Sequence, residues 1–212
     1  MFQEDDMKKV MITSILAGLV FLITPAAFGG QPLEAIKHPI EESLTILKDP
    51  QYLDKEKRDI QREKVWEIIR QVFDFEAISM RAVAMQWRDF SDQQKRAFTE
   101  VFTELLRNTY LDKIQGELQD EQVIFSGEEI ETDKAVVKTR VLSGKTEIPM
   151  DYSLYLNGNK WLIYDVKIEG VSLVKNYRSQ FKDFLSKEGP DQLIQKLKEK
   201  NEQHAHERNM AK

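Results

Sequence analysis

The side chains that could do chemistry are few, and their spacing serves it poorly. There are three histidines and no cysteine, so neither a thiol nucleophile nor a thiolate metal site is available. His204 and His206 sit in the polar tail "NEQHAHERNMAK" and His38 stands beside Pro39; a tail pair is not a ligand set, and no metal site is assigned. Neither a Gly-rich phosphate loop nor a nucleophile elbow occurs. One enzymatic pairing is worth weighing. An acid and a tyrosine in an apolar pocket suit an isomerase-like enzyme, as in those acting on steroids, and Tyr164-Asp165 offers both groups. Adjacent strand residues point to opposite faces, so the two cannot meet over one substrate, and Asp151 shares the wet parity of its own strand. No catalytic residue is assigned. Glu169 and Arg178 read as structural, Arg178 as a solvent-facing or locally paired side chain.

What stands out instead is flexible and aromatic apolar material, including Met80, Met85, Trp87, Phe98, Phe102, Tyr110, Met150, Tyr152, Tyr164, Tyr177 and Phe181. Such residues suit an adaptable apolar pocket, and they equally suit an ordinary core. Composition does not separate the two. A formal charge of −5 and a pI near 5.4, with no basic stripe beyond a solvated helix face, argue against nucleic-acid binding.

The elements that must position these residues follow from periodicity. Residues 1–29 read as a cleaved secretory signal peptide: Lys8-Lys9, an apolar run from Val10 to Ile23, Pro25, and small residues before a cut after Gly29. The acidic Glu4-Asp5-Asp6 makes Met7 a candidate start. The apolar run is shorter than the roughly 20 residues that span a bilayer. Helices are expected over 32–118: Leu33, Ile36, Ile40, Leu44 and Leu47 on one face, then Ile60, Trp66, Ile69 and Phe73, then a third helix through "FDFEAISMRAVAMQWRDFS". A capping box at Ser91 and Gln94 starts the fourth. Over 121–169 the period drops to two, and short turns at Thr132-Asp133, Ser143-Gly144 and Asn157-Gly158-Asn159 force a four-stranded antiparallel meander. Pro149 marks a bulge or an edge. Leu162, Tyr164, Val166 and Ile168 form one face of the last strand, which turns at Gly170 into helices over 171–200. Residues 201–212 lack an apolar period and are expected to be disordered. The result is a single α+β domain over 30–200, a curved sheet covered by helices.

"YDVKIEGVSLVKNYRSQF" at 164–181, with "AVVKTRV" at 135–141, "IPMDY" at 148–152 and "FDFEAISMRAV" at 73–83, resembles the MlaC family of phospholipid-binding proteins of the Mla lipid-asymmetry pathway, also labelled toluene-tolerance auxiliary transport proteins. The similarity runs from about Pro32 to Lys200, and Trp87-Arg88 matches the aromatic-basic pair that follows the "FDF" helix; the histidine-containing tail lies outside the pattern. The resemblance implies an NTF2-like, cone-shaped fold with an apolar cavity between curved sheet and helices. It implies a periplasmic carrier, not an enzyme, without cofactor or metal, whose cargo is phospholipid. Its partners would be an outer-membrane lipoprotein complex and an inner-membrane Mla-type ABC transporter. Mapped onto this chain, the cavity floor would be Val137, Ile148, Met150, Tyr152, Leu154, Tyr164, Val166 and Ile168. The lid would be Phe98, Phe102, Leu105 and Tyr110, and the rim Val171, Val174 and Tyr177. Alternatives are a carrier of another membrane lipid such as a hopanoid, the isomerase-like enzyme above, and an adaptor that binds only proteins.

Overall fold

The computed structural model describes residues 31–52, 54–117 and 121–210; the signal peptide read over residues 1–29 lies outside the described residues. Helix α1 spans Pro32–Lys48, with proline in its first turn, where a missing N–H costs nothing. The Leu33 N–H donates to the Glu128 carboxylate at 2.7 Å, and Lys48 Nζ donates to the Glu121 carbonyl at 2.6 Å. Both ends of α1 are thus stitched to the strand Gln122–Glu131 (β1) and its approach, and α1 runs antiparallel to it.

Helix α2 (Arg58–Val72) gives way to α3 (Phe75–Val83) through a two-residue kink. At the kink Phe73 bridges to Ile163, and the Asp74 N–H donates to the Ile163 carbonyl at 2.9 Å, so the helical layer is pinned to the sheet. Asp74 then caps α3 by accepting from the Ala77 N–H at 2.8 Å. The third helix is shorter than its period suggested. It stops at Ala84, whose φ is 50°, and a 3₁₀ helix over Ala84–Asp89 turns Trp87 and Phe90 onto Phe98. Helix α4 (Asp92–Glu117) opens with the expected capping box: the Gln94 N–H donates to Ser91 Oγ at 3.2 Å and the Ser91 N–H to Gln94 Oε1 at 2.9 Å.

The sheet is an antiparallel meander in the order β1, β2 (Lys134–Ser143), β3 (Thr146–Asn157), β4 (Lys160–Ile168) and β5 (Val171–Ser172). It therefore has five strands rather than four. The fifth is two residues long and arises because Glu169 and Gly170, both at positive φ, turn the chain back on β4. Pro149 sits where β4 ends: its carbonyl accepts from the Glu169 N–H at 2.9 Å, so the N–H it lacks would have pointed past the ladder.

A bulge in β4 changes the expected facing. Ser153 pairs with Asp165 and Leu154 with Ile163, which leaves Tyr164 as the extra residue. The inward face of β4 is consequently Trp161, Ile163, Val166 and Ile168 instead of an uninterrupted even series. Tyr164 turns to the other side, against Tyr155 and 4.3 Å beneath the Arg81 guanidinium.

Helix α5 (Leu173–Leu185) starts with a shared cap: Ser172 Oγ accepts from the Lys175 N–H at 3.0 Å and donates to Asp165 Oδ2 at 2.5 Å, while Asp165 Oδ1 accepts from the Val174 N–H at 3.0 Å. Arg178 Nε donates to the Arg81 carbonyl at 2.8 Å, so instead of a local pairing it ties α5 to α3. The tail expected to be disordered instead continues α6 (Pro190–Met210). Polar anchoring supplies what an apolar period does not, because Asn201 and Arg208 hydrogen-bond to α4. Two hydrophobic clusters result, one among α3 to α6 and one between α1 and the inner sheet face.

Candidate functional site

Along the inner sheet face the cross-strand register arranges residues in rows. The first, Ala135, Leu154 and Ile163, closes on Ile36 of α1, with Ile36 and Ile163 also reaching the cavity wall. The next rows are Val137, Tyr152 and Val166, then Thr139, Met150 and Ile168, then Val141 and Ile148. Successive rows lie two residues apart, about 6.7 Å. Over these rows α1, α2 and α4 arch away from the sheet and leave a cavity of about 490 Å³. Its size falls in the range of small-molecule and cofactor pockets, roughly 300–1,000 Å³.

The roof is built from helical stripes. Ile40, Leu44 and Leu47 come from α1, Val65, Trp66 and Ile69 from α2, and Leu106, Tyr110, Leu111 and Ile114 from α4. Phe73, Phe75 and Ile78 close one side. Many of these side chains are only half-buried although they point inward, since what they face is space rather than another side chain. Polar lining is sparse. It comes from Ser43, Arg107, Lys113, Glu121, Ser143 and Asp165, and Ser143 Oγ donates to Glu121 Oε1 at 2.8 Å.

One buried hydroxyl faces the cavity. Tyr152 Oη donates to Met150 Sδ at 3.0 Å, and burial pushes its phenol up to about 12, with Thr139 opposing the shift. Burial likewise raises Tyr110, offset in part by its hydrogen bond to Tyr177. Asp165 also borders the cavity, but both of its oxygens are engaged in capping α5. His204 and His206 stand two apart on α6, on different sides of the helix, where they do not converge.

Of the residues assigned from the sequence, Tyr110, Ile148, Met150, Tyr152, Val166 and Ile168 line the cavity. The others do not. Phe98, Phe102, Leu105, Val174 and Tyr177 are packed in the helical core, and Val137 and Leu154 are sealed under α1. Tyr164 is turned away by the bulge, and Val171 lies on the surface, 62% exposed. The largest omission was the roof. The stripes of α1 and α2 were visible as helical periods, and only their height above the sheet, which no period encodes, makes them cavity wall.

The profile of the MlaC protein family matches residues 37–199. No curated protein sequence matches the chain. In fold the chain is similar to the phospholipid-binding protein from Ralstonia solanacearum, solved in complex with a phospholipid: the TM-score is 0.73 at 24% identity, covering 83% of this chain and 99% of that one. With a family match that takes in all five strands, α2 to α5 and most of α1, the chain belongs to the MlaC family.

Proposed function

We propose that the protein is a periplasmic phospholipid carrier that holds acyl tails in the cavity beneath α1, α2 and α4. It would pass lipid between the outer-membrane and inner-membrane components of an Mla-type ABC transport system. The observation that carries this reading is the apolar hollow itself, bounded by the sheet and by helices α1 to α5 and nearly free of polar lining. The Ralstonia protein of similar fold was solved with a phospholipid, which supports the same class of cargo here.

The physical need for a carrier is easily sized. Exposing a sixteen-carbon chain to water costs on the order of 12 kcal/mol at about 0.8 kcal/mol per methylene, so a two-tailed lipid faces roughly 25 kcal/mol. Unassisted passage through water is negligible at that cost. The same magnitude means that cargo leaves only when a partner opens the wall or offers a competing apolar site. The carrier performs no bond chemistry in this reading.

Organic extraction of the purified protein followed by mass spectrometry tests it. Diacyl phospholipid is the expected result; a polycyclic triterpenoid, or protein that stays lipid-free after incubation with phospholipid vesicles, would overturn it. Ile148→Asp places a charge on the cavity floor at a half-buried site and should give folded protein without lipid.

A further inference from the structure

The family match ends at residue 199, yet α6 continues to Met210. The extension is placed by a regular seam. Gln94 Nε2 donates to Asp191 Oδ1 at 2.9 Å, Asn201 Nδ2 to the Val101 carbonyl at 2.9 Å, and Arg208 Nη1 to Asn108 Oδ1 at 3.3 Å. On α4 these partners fall seven residues apart, so α6 lies parallel to α4 along one face, in the manner of a coiled-coil seam. The seam is apolar at Ile194 and Leu197 and becomes polar at Asn201 and Arg208.

Where the extension ends matters. Asn108 Oδ1 also accepts from Arg62 Nη2 of α2 at 2.8 Å, and Arg62, 3% exposed, forms an ion pair with Asp112. Arg62, Asn108 and Asp112 are therefore the polar clamp between α2 and α4, the two helices whose other faces roof the cavity. Arg208 brings a second guanidinium to the same acceptor. It arrives at a disadvantage, because its Nε is buried without an acceptor among the described residues, and an unmet buried donor costs roughly 1–3 kcal/mol. The Arg62 guanidinium is held below its usual range by burial first, against the attraction of Asp112, with Arg208 and Arg107 adding repulsion.

We propose that residues 201–210 form a detachable strap that braces the α2–α4 wall of the cavity from outside and slows its opening. Docked, the strap backs α4 at Val101 and Asn108, opposite the stretch Leu106 to Ile114 that lines the cavity. Undocked, Arg208 is hydrated, Arg62 loses a like-charged neighbour, and the wall moves with one support fewer. Local opening at such marginally held segments is the expected route for a lid. The consequence for cargo rests on the carrier reading; the mechanical claim does not.

The test uses two variants of the full protein, Arg208→Gln and a chain ending at Lys200, each loaded with a fluorescent phosphatidylethanolamine and mixed with phosphatidylcholine vesicles. Both should transfer lipid about fivefold faster than the parent, the factor that one hydrogen bond of ordinary net strength commands. Amide exchange in α4 over Leu106–Ile114 should accelerate by a similar factor, while the global unfolding midpoint shifts by only a few degrees. Unchanged amide protection in both variants would overturn the strap. Faster exchange with no measurable lipid in any variant would leave the strap standing and remove the carrier reading.

Discussion

The molecule holds two apolar regions of similar composition that end in opposite states. Among α3, α4, α5 and α6, the rings of Trp87, Phe90, Phe98, Phe102, Tyr177 and Phe181 fill the space, with neighbouring centroids 4.9–6.3 Å apart, mostly edge to face. Between the sheet and α1, α2 and α4, side chains just as apolar stop short of one another and leave a hollow of about 490 Å³. Helix α4 belongs to both, with Phe98 and Phe102 in the solid region and Tyr110 and Ile114 in the open one. The difference teaches that hydrophobicity decides which residues leave water, while the separation of the surrounding elements decides whether they touch. Here α1 is fixed at its two ends by Glu128 and Glu121, and α2 by Phe73 and Asp74 against Ile163. Pinned at these points, the roof does not collapse onto the floor.

The largest expected effect tests the solid side. Phe98 is fully buried among four rings, so Phe98→Ala should lower unfolding free energy by about 3–5 kcal/mol in denaturant titration. A comparably small loss, under about 1 kcal/mol, would mean that this region is hollow too.

A second measurement compares one tyrosine from each region. Burial pushes both Tyr152, on the cavity floor, and Tyr177, in the helical core, up to about 12. Below pH 10 these phenols are protonated in folded and unfolded chains alike, and the stability linked to them is fully present. Between pH 10 and 12 the unfolded chain ionises first, so stability falls as pH rises, by about 1.4 kcal/mol per unit for each tyrosine. Tyr152→Phe and Tyr177→Phe should each remove one such share from the slope between pH 10 and 11. On the carrier reading, phospholipid in the cavity withdraws further water from Tyr152, so the Tyr152 share should grow in loaded protein while the Tyr177 share is unchanged. Equal behaviour of the two would erase the distinction between the regions.

Much of the fold was legible because local periods and tertiary burial agree in it. The Ser91–Gln94 capping box, the three short hairpin turns and the inward parity of β3 all appear where the residues imply them. The failures have physical causes. One extra residue, Tyr164, bulges from β4, and nothing in "KWLIYDVKI" marks it, so the parity that held from Val166 onward broke before it. The tail gave no apolar period since its seam is polar beyond Leu197 and is held by Asn201 and Arg208. Within the site, the strand positions near the open end were readable from alternation, whereas Phe98 and Phe102 were misplaced. A long helix with apolar residues on more than one side does not reveal which side meets rings and which meets space.

The smallest effect is expected at Val171, which the family resemblance places on the cavity rim. Val171 follows the strand that ends the cavity floor. In the structure Val171 pairs with Ile168 in the short β5 and turns its side chain outward, while the next apolar residue, Leu173, reaches the cavity. Val171→Asp should therefore change stability by no more than about 0.5 kcal/mol, as ordinary surface substitutions do, and leave the extracted lipid unchanged in amount. Ile148→Asp, on the cavity floor, should empty the protein. A Val171→Asp protein that folds normally but carries no lipid would extend the mouth to the β4–β5 turn. The boundary between cavity and surface would then have to be redrawn on that side.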